Sequence, residues 1–422
     1  MKLLIIAILC AVACSGRAQD ENDKEWKKQF TRRLLTFSNN LHAQFTYLGA
    51  QENIIFSPVS LYEALGMLLA GAEETTEKQL LRGMQLEPLV FHDRVKRLMS
   101  KLHSNAVTRS DEAVIRMANA MFLQHNYDLF PEFNKTIVED YQALVDLVDF
   151  GDALNAVERI NGWVESKTEN RIQDLVTPGM ITTLTRMVLV NAVYFKANWK
   201  TQFSPMNEPL EFTLSSGERT ETSGMRSLSA IKVHLHESDN GDESYIAIEY
   251  DSPYTKREDD NKKIYFIVGM SKHNLPAPKR MPDNVLELGC ENDKSRRDKS
   301  WRRSSVLLTL PKFSMTQRYD MKSVLNNLGI RNIFDAGTSE LSLISPAEKN
   351  LYVSDFVHKA FIKVNEEGSE AAAASAIVVS GRSAGPRSIT VDKPFIYGIY
   401  SARAKAFLFM GKIERPEYEV DE

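Results

Sequence analysis

The stretch that most restricts the fold lies near the C-terminus, where residues 366–391 read E-E-G-S-E-A-A-A-A-S-A-I-V-V-S-G-R-S-A-G-P-R-S-I-T-V. From Ser369 to Ala376 every side chain except Glu370 is Ser or Ala. Alanine is the strongest helix former, so an Ala-rich helix is one reading of this run. Its continuation points elsewhere: Ile377, Val378 and Val379, then Gly381, Gly385 and Pro386, favour extended and turn backbone. Tiny side chains leading into a polar, turn-rich tip are odd for a core element. They fit a loop that must at times become something else.

Within this segment Gly381, Ser383 and Gly385 spell G-x-S-x-G, the pattern that sets a nucleophilic serine on the strand-to-helix elbow of a hydrolase. Such an enzyme needs an acid and then a histidine later in the chain. The histidines are His42, His92, His103, His125, His234, His236, His273 and His358, and none follows Ser383. Pro386 also opposes the helix start that the elbow requires. Ser383 is therefore not read as an elbow nucleophile, and no catalytic residue is assigned.

The first residues, M-K-L-L-I-I-A-I-L-C-A-V-A-C-S-G-R-A, carry Lys2, an apolar run and then small residues. This is the grammar of a secretory signal peptide, expected to end at Ala18, and its apolar run is too short for a membrane span. No later segment is apolar enough to span a bilayer, so no membrane partner is expected. Loss of residues 1–18 removes Lys2 and Arg17 and moves the formal charge from −4 to −6. A mildly acidic chain gives no reason to expect nucleic acid as a partner. Cys10 and Cys14 leave with the leader, so a secreted chain would keep Cys290 as a single thiol without an internal disulfide.

Along the rest of the chain, Phe30, Leu34, Phe37, Leu41, Phe45 and Leu48 recur at helical spacing over residues 25–48. A second helix is expected over 57–72, where Pro58 suits the first turn. Residues 74–83, 90–104, 129–143 and 154–169 also read as helices. Strand-like runs are 187–195, 245–250, 263–270, 306–310, 395–400 and 406–411. Helices lead, strands follow and no low-complexity linker divides them, so the fold class is α+β in a single domain over residues 19–422.

Five ordered motifs then give the chain its resemblance to the serpin family, over nearly its whole length. N-x-x-x-S-P-x-S-x-x-x-A-L-x-M appears as Asn53 to Met67, and V-N-A-V-Y-F-K-A-N-W as Val190 to Trp199. L-P-K-F-S-M spans 310–315, D-K-P-F (392–395) pairs with F-L-F-M-G-K (407–412), and the hinge E-E-G-S-E-A-A-A-A-S spans 366–375. The resemblance implies three β-sheets with about nine helices and an exposed reactive loop near the C-terminus, about residues 366–391. It also implies a suicide mechanism. A target protease cleaves the loop, and the freed strand inserts into the large central sheet before the acyl-enzyme is hydrolysed. The protease is carried to the far pole and trapped as a covalent complex.

The residues suit each step. Ser369, Ala371, Ala373 and Ser375 would share one face of an inserted strand, and none is large. Fourteen residues, 369–382, would extend to roughly 46 Å at about 3.3 Å each. By family register from Gly368 the scissile bond is Arg382–Ser383. Its long charged fork suits a deep acidic pocket, so the expected partner is a trypsin-like serine protease. Arg387–Ser388 is a second Arg-Ser bond that such an enzyme could cut. The hinge set is Glu366, Gly368, Ser369, Glu370, Ala371, Ala372, Ala373 and Ala374. The alternative is a non-inhibitory serpin acting as carrier or chaperone, but such members often carry bulky, charged or proline residues between 371 and 376, and this chain has none.

The resemblance also assigns Ser57, Ser60, Asn191 and His358 to a buried polar cluster beneath the opening sheet. Lys312 and Glu366 match an ion pair where insertion starts, with Trp199 beside it. Arg94, Lys96, Arg97 and Lys101 lie along the helix that in some serpins binds heparin-like glycosaminoglycans; a sulfated polysaccharide is thus a candidate activator, against the plainer reading of a solvated basic face. Residues 294–303 form a further basic run around Trp301. Asn134-Lys135-Thr136 is a glycosylation sequon. His234, His236 and Glu237 on one strand are too few to indicate a metal, so none is expected, and the protein is expected to act as a monomer.

Overall fold

The structure is a computed structural model. It describes residues 2–49, 52–87, 92–106, 113–251, 263–272, 275–288, 300–346, 350–369 and 386–418, with backbone alone for 2–24 and 92–98. The chain opens with α1 (Lys2–Leu48), β1 (Ile54–Phe56), α2 (Pro58–Leu69), α3 (Glu74–Gly83) and α4 (His92–Ala106). Next come β2 (Ala113–Gln124), α5 (Pro131–Asp140), β3 (Leu144–Val148), α6 (Ala153–Lys167) and β4 (Met187–Asn198). A run of strands follows: β5 (Ser204–Pro205), β6 (Leu210–Thr213), β7 (Arg219–Thr222), β8 (Gly224–Arg226), β9 (Ile231–Glu237), β10 (Glu243–Glu249) and β11 (Ile264–Ser271). The remainder is β12 (Arg302–Pro311), β13 (Phe313–Asp320), α7 (Met321–Asn327), β14 (Asp355–Val364), β15 (Gly368–Ser369), β16 (Arg387–Thr390), β17 (Phe395–Ser401) and β18 (Ala406–Ile413).

The strands form three sheets. The largest runs β1-β18-β17-β11-β10-β9-β12-β8-β5 with β16 added on β12; the second runs β13-β14-β4-β2-β3 with β15 added on β4; β6 and β7 form the third. Seven α-helices occur among the described residues, fewer than the nine expected. Part of the difference is local: Pro178–Met180, Asp283–Glu287 and Asn332–Phe334 are single 3-10 turns, too short to close an α-helical ladder.

Helix α2 starts where the sequence places it. The Ser57 side chain accepts a hydrogen bond from Ser60 N, and Pro58 occupies the first helical turn. Every residue of α2 is buried, because α1, α4 and the sheets surround it. Phe37, Leu41 and Phe45 of α1 and Tyr62, Leu65 and Leu68 of α2 share one core with Phe195, Phe266, Tyr397 and Phe409 of the sheets. On the other face of the second sheet, Ile160 and Val164 of α6 pack with Phe122, Val188, Val190 and Val357. Strand β4 is thus covered on both faces, which explains its nearly unbroken apolar run.

Candidate functional site

Strands β4 and β14 lie parallel in register from Asp355↔Val188 to Phe361↔Tyr194. Beyond Tyr194 and Phe361 that pairing stops, although β4 continues to Asn198 and β14 to Val364. The free upper edge of β4 pairs instead with β15, antiparallel, with Gly368 opposite Asn198 and Ser369 opposite Ala197. The first two residues of the small-residue segment are therefore already built into the second sheet. Gly368 has φ +150°, and a β-carbon there would stand 2.1 Å from the Ala197 carbonyl oxygen, so only glycine fits this approach.

The mouth of the gap is tied by backbone and by Trp199. Trp199 N donates to Glu367 O and Phe203 N to Glu366 O, both at 2.9 Å, while the Trp199 indole Nε1 donates to Asn365 O at 2.8 Å. Asn365 Oδ1 accepts from Glu367 N and Gly368 N, each at 3.1 Å. Lys312 Nζ lies 3.4 Å from Glu366 Oε2, with both side chains largely covered. Trp199 stacks on Tyr250 with ring centroids 4.5 Å apart and planes at 6°. The Tyr250 hydroxyl meets Ser369 Oγ at 3.0 Å, and Ser369 is fully buried. The Tyr250 phenol is pushed far above its usual pKa by burial, so it stays neutral as a hydrogen-bonding group.

Lower down the same seam, Ser57, Ser60, Asn191 and His358 come together, all with no solvent exposure. Ser57 N donates to His358 Nε2 at 3.2 Å, and Ser60 Oγ donates to Asn191 Oδ1 at 3.0 Å. His358 Nδ1 meets the same Asn191 oxygen, across the β4–β14 register pair Asn191↔His358. Burial holds the His358 imidazole down at about pKa 3, against the hydrogen bond with Asn191, so it is neutral near pH 7. The cluster includes a residue the sequence reasoning missed: Asn119 of β2, register partner of Asn191, which accepts a hydrogen bond from Asn191 Nδ2. A lone amide in the otherwise apolar A-N-A-M-F run was the available signal.

Glu370, Ala371, Ala372, Ala373, Ala374, the Arg382–Ser383 bond and Cys290 lie outside the described residues. The chain re-enters description at Pro386, and Arg387–Thr390 form β16, parallel to β12. The Arg387–Ser388 bond is thus held in a ladder against Val306 and Leu307, and the Arg387 side chain lies 3.8 Å from Glu237. A protease that took this bond would first have to break the β16–β12 pairing.

Other sequence candidates separate. On α4, Met99 and Leu102 are buried and Lys101 is exposed; Arg94, Lys96 and Arg97 lie on the same helix, with only their backbone described. Lys101 lines a cavity of about 440 Å³ together with Lys27, Lys28 and Arg32 of α1 and Lys405 of the β17–β18 turn. Asn134 is exposed on α5. Trp301 is not an exposed feature of the basic run: it is buried and donates from Nε1 to Asn284 O at 3.1 Å. His234 Nε2 accepts from Arg303 Nε at 3.4 Å, and His236 Nδ1 lies 3.0 Å from Ser300 O, so the two histidines serve separate contacts.

Comparison with known proteins supplies the frame. The profile of the family described as Serpin (serine protease inhibitor) matches residues 32–416. Neuroserpin of Homo sapiens is 33% identical over 393 residues, covering 91% of each chain. Among solved structures, Serpin48 of the insect Tenebrio molitor superposes with TM-score 0.76 at 26% identity, covering 92% of this chain and 99% of that one. Native protease nexin-1 with heparin superposes with TM-score 0.74 at 27% identity, covering 92% of this chain and all of the other.

Proposed function

The chain is a member of the serpin family, and from that premise we propose that it is a secreted suicide inhibitor of trypsin-like serine proteases, cut at Arg382–Ser383. It acts as the bait of another enzyme's reaction and not as a catalyst. The observation that carries this reading is the seating of Gly368 and Ser369 on the free edge of β4, directly above the β4–β14 seam. A strand already started at the mouth of a gap needs only a cut downstream to continue into it. Each residue that enters adds ladder hydrogen bonds, so insertion runs downhill. Inhibition then depends on insertion outrunning hydrolysis of the acyl-enzyme.

Arg382 selects the target, because a permanently charged fork is best received by a pocket with an acidic floor. The secretory reading of residues 1–18 and the use of Asn134 as a glycan site belong to the same proposal. The cations around Lys101, together with the heparin-bound relative, support a sulfated polysaccharide as a ligand of the α1–α4 face. The test is incubation with trypsin-, thrombin- and chymotrypsin-like proteases, followed by denaturing gels and sequencing of the released C-terminal peptide. A stable adduct with the first two and a new N-terminus at Ser383 is the expected result. Clipped protein without adduct sinks the inhibitor reading.

A further inference from the structure

Helix α2 carries one charged residue, Glu63, and it is completely buried among apolar neighbours. Burial pushes its carboxyl pKa up, while its bond with His103 draws it down. A leucine of similar volume would cost less at such a place. What Glu63 supplies instead is an acceptor oxygen, Oε2, at the meeting point of α4 and β2. Glu63 Oε2 accepts from Asn119 Nδ2 of β2 at 3.2 Å, and His103 Nδ1 of α4 lies 3.1 Å from the same oxygen.

These bonds close a directed chain. The Ser57 backbone N–H can only donate, so His358 Nε2 accepts and His358 Nδ1 carries the proton. That proton points at Asn191 Oδ1, which also accepts from the Ser60 hydroxyl. The Asn191 amide nitrogen therefore donates to Asn119 Oδ1, and the Asn119 amide nitrogen donates to Glu63. Every link from Ser57 to Glu63 runs from donor to acceptor in one direction, and Glu63 Oε2 is its end. Without that acceptor the Asn119 amide is free to turn over, and Asn191 with it. An amide NH₂ would then face the His358 N–H across the seam, donor against donor, where the structure has a bond.

We infer that Glu63 and His103 are positioning residues for loop insertion: they hold Asn119 and Asn191 in the one orientation that bonds β4 to β14 through His358. The inference rests on the insertion reading above. Its consequence is that α4, through His103, takes part in setting how readily the seam opens.

The test needs no protease. A labelled synthetic peptide of residues 369–382, SEAAAASAIVVSGR, is added to the intact full-length protein and its stable uptake is timed. Glu63→Leu and His103→Leu should take up peptide at least fivefold faster than the unaltered protein. Glu63→Gln keeps an acceptor and His103→Asn keeps a hydrogen-bonding group at the Nδ1 position, so both should stay within about twofold. Phe37→Leu, a core change in α1 that leaves the hydrogen-bonded chain intact, should lower the melting temperature without speeding uptake. Leucine variants at the unaltered rate, conservative variants as fast as the leucine ones, or equal acceleration by Phe37→Leu would each overturn the role of Glu63 and His103. If the unaltered protein takes up no peptide at all, the insertion reading falls and this inference with it. Should Glu63→Leu not fold, the His103→Leu and His103→Asn pair decides the matter.

Discussion

Ser369 and Tyr250 meet through their hydroxyls, 3.0 Å apart and shut away from solvent, at the top of the gap between β4 and β14. On the insertion reading, an entering residue must be small, and its polar atom needs a partner. Ser369→Arg meets neither demand, because a long cation would have to displace the Tyr250–Trp199 stack. The variant should be cleaved by trypsin without forming an adduct, and the cut protein should show no rise in melting temperature. Undiminished adduct on a denaturing gel would refute insertion as the trapping step.

Gly368→Ala probes the same place from the backbone side. The added methyl would press on the Ala197 carbonyl, and β15 is held on β4 by only two register pairs whereas β4 is paired along its length with β2. Strain of this kind costs about 1–3 kcal/mol, so β15 should detach rather than distort β4. The expected outcome is a modest fall in the urea midpoint of the uncut protein and a change in Trp199 emission, with Trp199→Phe as the blank. An unchanged Trp199 signal would mean the hinge stays seated.

Much of this architecture is legible in the sequence, and its gaps have physical causes. The start of α2 follows from Ser57 and Pro58, and β4 from its unbroken apolar run. Strand β2 is not legible: A-V-I-R-M-A-N-A-M-F-L-Q is rich in Ala and Met, good helix formers, and becomes a strand because β3 and β4 flank it. The Ser57, Ser60, Asn191 and His358 set was reachable only through family motifs. Asn119, Glu63 and His103 lay beyond it, since three residues spread over separate elements carry no spacing signal. Seating of Gly368 and Ser369 was equally hidden, because it depends on where β14 stops pairing with β4.

Two buried histidines give the uncut protein an acid-sensitive stability. His358 is held at about pKa 3 and His42 at about 4, both lowered mainly by burial, against 6.5 when unfolded. Between those values the unfolded chain binds protons that the folded chain refuses, so stability rises with pH and is lost as pH falls below 6.5. Each histidine contributes a slope of about 1.4 kcal/mol per pH unit in that window. Denaturation midpoints measured from pH 4.5 to 7.5 should climb, and His42→Gln should remove about half of the histidine slope. Because burial raises the carboxyls of Glu63 and Asp355, which contribute with the opposite sign, the deciding comparison is between variants: an unchanged slope in His42→Gln would show that this ring accepts protons while folded.

The α1–α4 cavity predicts how a sulfated polysaccharide would be held. Lys101 and Arg32 line it with Lys27 and Lys28, and all four are exposed. An exposed charge contributes about 1 kcal/mol, so Lys101→Glu should weaken heparin binding at least fivefold at physiological salt. Retention time on immobilised heparin measures it. Uncatalysed inhibition should not change, since Lys101 is exposed on α4 and takes part in none of the described hinge contacts. Unaltered retention would place any polyanion elsewhere.

Of the two Arg-Ser bonds, only Arg387–Ser388 lies within the described residues. Arg387 and Ser388 are held in the β16–β12 ladder, opposite Val306 and Leu307, and a protease that took this bond would first have to peel β16 away. Arg382 lies upstream in the sequence, at the family's register from Gly368. Arg382→Ala should therefore abolish the trypsin adduct, whereas Arg387→Ala should leave its yield within about twofold. Arg387→Ala also removes a 3.8 Å contact with Glu237 on the exposed surface, which is worth little to stability. Mass analysis of the released C-terminal peptide distinguishes the bonds directly: a fragment beginning at Ser383 is expected, and one beginning at Ser388 in the trapped complex would move the reactive bond by five residues.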